Sequence, residues 1–195
     1  MSRQAEVTRR TAETDIALTL EIDGSGQAAV DTGVGFLDHM LTLLARHGGL
    51  DLTVRCDGDT RVDCHHTVED IGLCLGEALR SALGDKCGIV RYGTFHAPMD
   101  ESLARVSLDL SGRPYLVFDA PMPAQRVGDF DTEMVEDFFR AVSNTGGITL
   151  HIASLYGRNT HHIIEGLFKA FGRALRKACE PDPRMRGIPS TKGSL

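Results

Sequence analysis

One half of this chain repeats the other, and that duplication limits the folds open to it. His65-His66-Thr67-Val68-Glu69 returns as His161-His162-Ile163-Ile164-Glu165. Ahead of the first copy, His47-Gly48-Gly49-Leu50-Asp51-Leu52-Thr53-Val54 lines up with Thr145-Gly146-Gly147-Ile148-Thr149-Leu150-His151-Ile152, 98 residues further on. Behind it, Gly76-Glu77-Ala78-Leu79-Arg80-Ser81-Ala82-Leu83 lines up with Gly172-Arg173-Ala174-Leu175-Arg176-Lys177-Ala178-Cys179, 96 residues further on, so one connection is two residues shorter. Two similar halves follow, about 6–90 and 91–185, with no solenoid-scale period. They are too small and too interleaved in motif to be independent domains with a linker, so 1–195 reads as a single unit.

Hydrophobic periodicity gives each half the same elements. Thr14–Ile22 alternates apolar and polar residues as a half-buried strand does. The turn Asp23-Gly24-Ser25-Gly26 leads into a short strand, Gln27–Asp31. Phe36–Arg46 has helical spacing, Leu50–Arg55 is a strand, and His66–Leu83 is a helix with an apolar stripe of Val68, Ile71, Leu75, Leu79 and Ala82. The second half predicts strands at Ser102–Leu110, Tyr115–Asp119 and Ile148–Ala153, and helices at Thr132–Val142 and His162–Ala178. The fold class is α+β: two similar halves, each a sheet with two helices, packed so that the helical layers are sandwiched between the two sheets. Each His-His pair then opens a helix, where Asp63 or Thr67 can cap the first one.

The duplicated pattern is also the chemistry-bearing feature. Imidazole and carboxylate are the donor set of borderline-to-hard divalent ions. A single His-His pair more often caps a helix or decorates a surface; two copies of the whole pattern point to metal. On a helix Glu69 lies one turn beyond His65 and His66, while neighbouring histidines point about 100° apart. One ion cannot readily take both rings of a pair, but two facing pairs can hold two ions. His39 on the early helix and His151 on a second-half strand extend the inventory to six histidines and two glutamates. That is enough to give each of two ions four protein donors and leave open positions for substrate.

Other classes are disfavoured. A net charge of −6 argues against a general nucleic-acid surface. No apolar run is long enough to span a membrane, and Met1–Arg10 lacks the apolar core of a signal peptide. Five cysteines without a Cys-x-x-Cys motif read as reduced thiols of a cytoplasmic protein. No phosphate-binding Gly-rich loop of the nucleotide type is present, and no Gly-x-Ser-x-Gly elbow. Scattered cations at Arg91, Arg113, Lys169 and Lys192 remain for a phosphate group.

Several long motifs together resemble one family. These are Arg9-Arg10-Thr11-Ala12-Glu13-Thr14, Gly33-Val34-Gly35-Phe36-Leu37-Asp38-His39-Met40-Leu41, Asp63-Cys64 before the first metal motif, Pro98-Met99-Asp100-Glu101, Leu110-Ser111-Gly112-Arg113-Pro114, Gly157-Arg158-Asn159-Thr160 before the second, Phe168-Lys169-Ala170, and Pro189-Ser190-Thr191-Lys192-Gly193. In that order they resemble imidazoleglycerol-phosphate dehydratase, an enzyme family of histidine biosynthesis. The resemblance implies a cytoplasmic hydro-lyase that converts imidazole glycerol phosphate to imidazole acetol phosphate through a metal-bound imidazolate and a diazafulvene-like intermediate. It implies two Mn(II) ions per active site, with His39, His65, His66, Glu69, His151, His161, His162 and Glu165 as ligands. It assigns proton transfer to Glu13, and substrate contacts to Glu13, His47, Arg91, Arg113, Lys169, Ser190 and Lys192, the last two on a C-terminal phosphate-binding tail. It also implies a homo-oligomeric shell of 24 chains with active sites between subunits. Leu43 departs from members that carry glutamine there, which removes one polar group near the substrate. The competing reading is a metal-dependent hydrolase of a small phosphorylated substrate, since paired His/Glu sites also activate water.

Overall fold

The computed structural model describes residues 3–195. The first half runs β1 (Gln4–Arg10), β2 (Thr14–Glu21), β3 (Ala28–Asp31), α1 (Gly35–Gly48), β4 (Asp51–Gly58), α2 (His65–Leu83). The second runs β5 (Tyr92–Met99), β6 (Ser102–Asp109), β7 (Tyr115–Asp119), a small hairpin of β8 (Arg126–Val127) and β9 (Phe130–Asp131), then α3 (Met134–Gly146), β10 (Thr149–Tyr156) and α4 (Thr160–Cys179). The sheets have the same order, β1-β2-β4-β3 and β5-β6-β10-β7. In each, the third strand in the order pairs antiparallel with the second and parallel with the edge strand reached through a helix. That parallel pairing needs a crossover, and α1 and α3 supply it.

The Gly-Gly pairs that align in the repeat end these crossover helices. Gly49 and Gly147 take φ of 67° and 62°, the left-handed conformation of a C-terminal cap, and their amides donate to Ala45 and Ser143 carbonyls. Only glycine adopts it without a steric penalty.

Alternation along the strands sends one face inward. In β2, Ile16, Leu18 and Leu20 are buried; in β10, Leu150 and Ile152 are. The major helix contacts cross between halves: α2 packs on α3, and α1 on α4. α2 also lies on β1 and β2, and α4 on β5 and β6, so the helices form the middle of a sheet–helix–helix–sheet stack. Its centre includes the rings of Phe138, Phe139, Phe168 and Phe171, with neighbouring centroids 4.9–5.3 Å apart. Burying each such ring contributes about 1.5–3 kcal/mol. Among the described residues, no helix is long and apolar enough to cross a membrane.

Four strands escape the periodicity of the sequence. β1 buries only Val7, so it has no apolar alternation to detect. β5 carries Pro98 and buries only Gly93 and Ala97. Both are edge strands, where half the usual packing signal is absent and proline is tolerated. The β8–β9 hairpin belongs to the second half alone and is too short to show a period.

Candidate metal centre and active site

Local capping fixes how each His-His pair leaves its helix. At α2 the His65 amide donates to Asp63 Oδ1 at 2.8 Å, and Thr67 takes no part. At α4 the Asn159 side chain accepts from the His161 and His162 amides at 3.0 and 3.4 Å. Once the helix starts, adjacent rings must diverge. The His65 and His66 rings stand at 87°, and those of His161 and His162 at 82°.

The diverging rings enter different surroundings. His161 Nε2 lies 3.2 Å from Glu165 Oε2, one turn along α4. Because α1 packs on α4, His39 Nε2 reaches the same oxygen at 3.4 Å. These three donor atoms all lie within 4.8 Å of one another. The other Glu165 oxygen, Oε1, is held by Lys169 Nζ at 2.5 Å. Burial alone would push the Glu165 carboxyl up; the Lys169 ammonium, aided by His39 and His161, outweighs it and holds the carboxyl below its usual range. Two imidazole nitrogens and a carboxylate oxygen converging on one point fit a divalent ion of the Mn or Zn type. Phe36 packs against the His161 ring at 5.2 Å, and a cavity of about 630 Å³ opens beside His39, under the β8–β9 hairpin.

The first half builds a more open counterpart. His65 Nε2 and Glu69 Oε2 are 3.8 Å apart, with both side chains close to half exposed. No third donor of the same chain joins them among the described residues.

His66 and His162 turn instead toward carboxylates on loops. His66 Nδ1 faces Asp59 Oδ2 at 3.0 Å, and its Nε2 lies 3.6 Å from Glu13 Oε1. His162 Nδ1 faces Glu101 Oε2 at 2.8 Å, with Asp100 Oδ2 3.9 Å from Nε2. Both rings are pushed toward the charged form, chiefly by these Nδ1 contacts. Glu13 is exposed on a built turn: Thr11 Oγ1 accepts the Glu13 and Thr14 amides, Thr14 Oγ1 donates to buried Asp70 at 2.5 Å, and Glu13 O accepts from the Asp59 amide.

The remaining candidates fall into two other places. His47, at the end of α1, has its basicity lowered by burial and then by Lys169 and Arg173. His47 and Lys169 therefore sit on the α1–α4 side of the helix layer. Arg91, Arg113, Ser190 and Lys192 line a second cavity of about 660 Å³ formed by the C-terminal tail. Arg91 is buried there; its Nε and Nη2 donate to Asp109 at 2.7 and 3.0 Å, and Nη1 donates to the Pro189 carbonyl at 2.7 Å. It thus ties the tail to the second sheet as well as lining the cavity. Lys169, grouped with these cations in the sequence, is placed on Glu165 instead.

His151 stands apart from the histidines carried by the helices. It is exposed on β10, between buried Leu150 and Ile152, and so on the sheet face turned away from the helices. Within one chain it does not meet the α4 pair. Asp59 carries no motif, and only its tertiary placement beside His66 marks it.

Fold and side chains together define a duplicated α+β protein in which His39, His161 and Glu165 form a cluster that could hold a metal ion where α1 meets α4, and Arg91, Arg113 and Lys192 line a cavity at the tail. The comparisons with known proteins agree. Residues 32–175 match the family model described as imidazoleglycerol-phosphate dehydratase. Relatives of that name in Desulforamulus reducens and Acetivibrio thermocellus are 60% and 58% identical, over the whole of this chain and of theirs. The crystal structure of imidazoleglycerol-phosphate dehydratase from Staphylococcus aureus superposes with a TM-score of 0.83 at 46% identity, covering 91% of this chain and 99% of that one. The Pyrococcus furiosus structure gives 0.84 at 36% identity, covering 97% and 100%. The chain belongs to the imidazoleglycerol-phosphate dehydratase family, a family of hydro-lyases.

Proposed function

We propose that this chain removes water from imidazole glycerol phosphate to give imidazole acetol phosphate, a step of histidine biosynthesis in the cytoplasm. It works with two Mn(II) ions per active site, at sites shared between chains of a 24-subunit shell. The observation that carries the metal reading is the convergence of His39 Nε2, His161 Nε2 and Glu165 Oε2 within 4.8 Å, in a chain of this family.

His39, His161 and Glu165 would hold one ion. His65 and Glu69 would hold the other, with His66, His162 and His151 contributed across chain boundaries. Ions on the two ring nitrogens would lower the imidazole N–H pKa, as metal lowers that of bound water. Lys169 keeps Glu165 ionised, the form in which a carboxylate ligates.

The leaving hydroxyl is on the carbon attached to the ring, and the proton to be lost is on the next carbon. Glu13 is exposed and aimed past His66 Nε2, which suits it to take that proton and return it to the departing hydroxide as water. The enol left behind becomes the ketone. Arg113, Lys192 and Ser190 in the tail cavity, with Arg91 as their anchor, suit the phosphate. Holding it there would fix the triol chain for reaction.

Strand length supports a site built from more than one chain. Arg91 precedes β5 and the Glu101–His162 contact follows it. Eight residues at about 3.3 Å each separate them by roughly 25 Å. That is far longer than the three-carbon chain between ring and phosphate, so one chain's tail cavity cannot serve its own His162.

Product analysis tests the reaction. Dehydration predicts one keto product per substrate consumed with no inorganic phosphate. Phosphate release in step with substrate loss would overturn it in favour of the hydrolase.

A further inference from the structure

The two histidines that point away from their own helix glutamates are each gripped from behind. Glu101 uses both oxygens. Oε2 meets His162 Nδ1 at 2.8 Å, while Oε1 accepts from the Arg158 and Asn159 amides at 3.0 and 2.7 Å and from Ser102 Oγ at 3.0 Å. The carboxylate is thereby pinned to the loop that launches α4. In the first half, both Asp59 oxygens face His66 Nδ1, at 3.0 and 3.2 Å. An ionised carboxylate only accepts hydrogen bonds. In the neutral ring the proton on each contact therefore belongs to Nδ1, and Nε2 turns its lone pair outward.

We propose that Glu101 and Asp59 are the positioning residues of the metal site, fixing His162 and His66 as Nδ1–H tautomers whose Nε2 atoms are presented for an ion. The inference rests on the metal reading above and says how two of its ligands are held. It also separates two residues that the duplication made equivalent. Glu13 immediately precedes Thr14, the first residue of β2, and Glu101 immediately precedes Ser102, the first of β6. Each thus ends the turn between the first two strands of its half. In the second half this acid has become the holder of His162. In the first half the β4–α2 loop, two residues longer than its counterpart by the repeat offsets, supplies Asp59 as holder. Glu13 is left exposed beside Nε2, free to exchange protons. One ancestral turn position thus yields a positioning residue in one copy and an acid–base group in the other.

Glu101→Gln is the informative substitution. The amide oxygen still accepts from the Arg158 and Asn159 backbone, so the loop is kept. The amide nitrogen then faces His162 and donates, which demands a bare Nδ1 and moves the proton to Nε2. Asp59, whose side chain meets only the ring, is replaced by leucine, because asparagine could still turn its oxygen to His66 Nδ1; Asp59→Leu removes the acceptor altogether. Mn(II) binding to the full chain would be followed by titration and by metal counted per chain. Alongside it, ring nitrogen NMR of the metal-free chain at pH 8 would report the tautomer.

The expected result is a proton on His162 Nδ1 in the parent and on Nε2 in Glu101→Gln, with one class of ion weakened about 10–100-fold and the circular dichroism spectrum unchanged. Parent-like Mn(II) affinity in both Glu101→Gln and Asp59→Leu, while His162→Ala loses metal, would overturn this proposal and leave the metal reading standing. Full metal content in His162→Ala would remove the metal reading, and this inference with it. Should Glu101→Gln fail to fold, Asp59→Leu, on an independent loop, decides between the same outcomes.

Discussion

At the scale of single residues, the centre depends on giving neighbouring groups different partners. Glu165 is divided between Lys169 on one oxygen and two histidines on the other. Lys169→Ala should therefore weaken Mn(II) binding as well as turnover, whereas Arg113→Ala should raise KM with metal content kept. Parallel metal analysis and kinetics distinguish the two. Glu13→Gln should lower kcat about 10²–10⁴-fold, the usual contribution of a general acid–base group, with metal content unchanged. The histidine pairs were legible in the sequence because they recur. The duty of Lys169 was not, because a lysine one turn after a glutamate is also an ordinary surface pair. Asp59 was illegible for a similar reason: a loop carboxylate acquires meaning only from the ring it meets. The cysteines differ in burial. Burial pushes the thiols of Cys56 and Cys74 up to about 11 and that of Cys179 to about 12, while Cys87 is exposed. A thiol reagent at pH 8 should label Cys87 rapidly and the four buried cysteines, Cys64 included, only after denaturation; rapid labelling of all would contradict the packing.

At the scale of elements, the helix crossings rest on glycines that the repeat aligns. A Cβ on Gly76 would run into Thr145 and lie 2.6 Å from the Val142 carbonyl. One on Gly172 would lie 2.8 Å from the Leu44 carbonyl and 3.0 Å from the Gly48 amide. Alanine at either site gains helix propensity of about 1 kcal/mol but forces two backbones apart, which typically costs about 1–3 kcal/mol. Gly76→Ala and Gly172→Ala should lower the urea midpoint; a raised midpoint would mean that the crossings are looser than described. Asp51 organises the turn before β3, accepting from the Gln27 and Ser25 amides at 2.8 Å each. These bonds hold its carboxyl below the ordinary value of 3.8. Its stabilisation is then complete above the unfolded value and lost as pH falls through the lower folded value. Asp51→Ala should be less stable than the parent at pH 7, and the gap should narrow below pH 3.8. The helices and inner strands were legible because each buries a periodic face. β1 and β5 were not, because with one or two buried residues they have no period to read and no turn sequence marks them, whereas the edge strands β3 and β7 follow the turns at 23–26 and 111–114.

At the scale of the whole molecule, duplication produces two sheets of one order with the helices between them, and places helices of opposite halves in contact. The cluster that could hold a metal ion follows from that crossing, since His39 belongs to the first half and His161 and Glu165 to the second. The two-sheet stack could be anticipated from the repeat, but which helix meets which could not, because apolar stripes do not name their partners. The separation of the tail cavity from the histidine end by the length of β5 likewise appears only in three dimensions. Metal-dependent dehydration is tested most directly by stripping the protein with chelator and measuring imidazole glycerol phosphate turnover before and after Mn(II) is restored, with metal counted per chain. A metal-dependent dehydratase shows no turnover when stripped and recovers at about two ions per chain. Turnover without metal, or full metal loading without turnover, would contradict it.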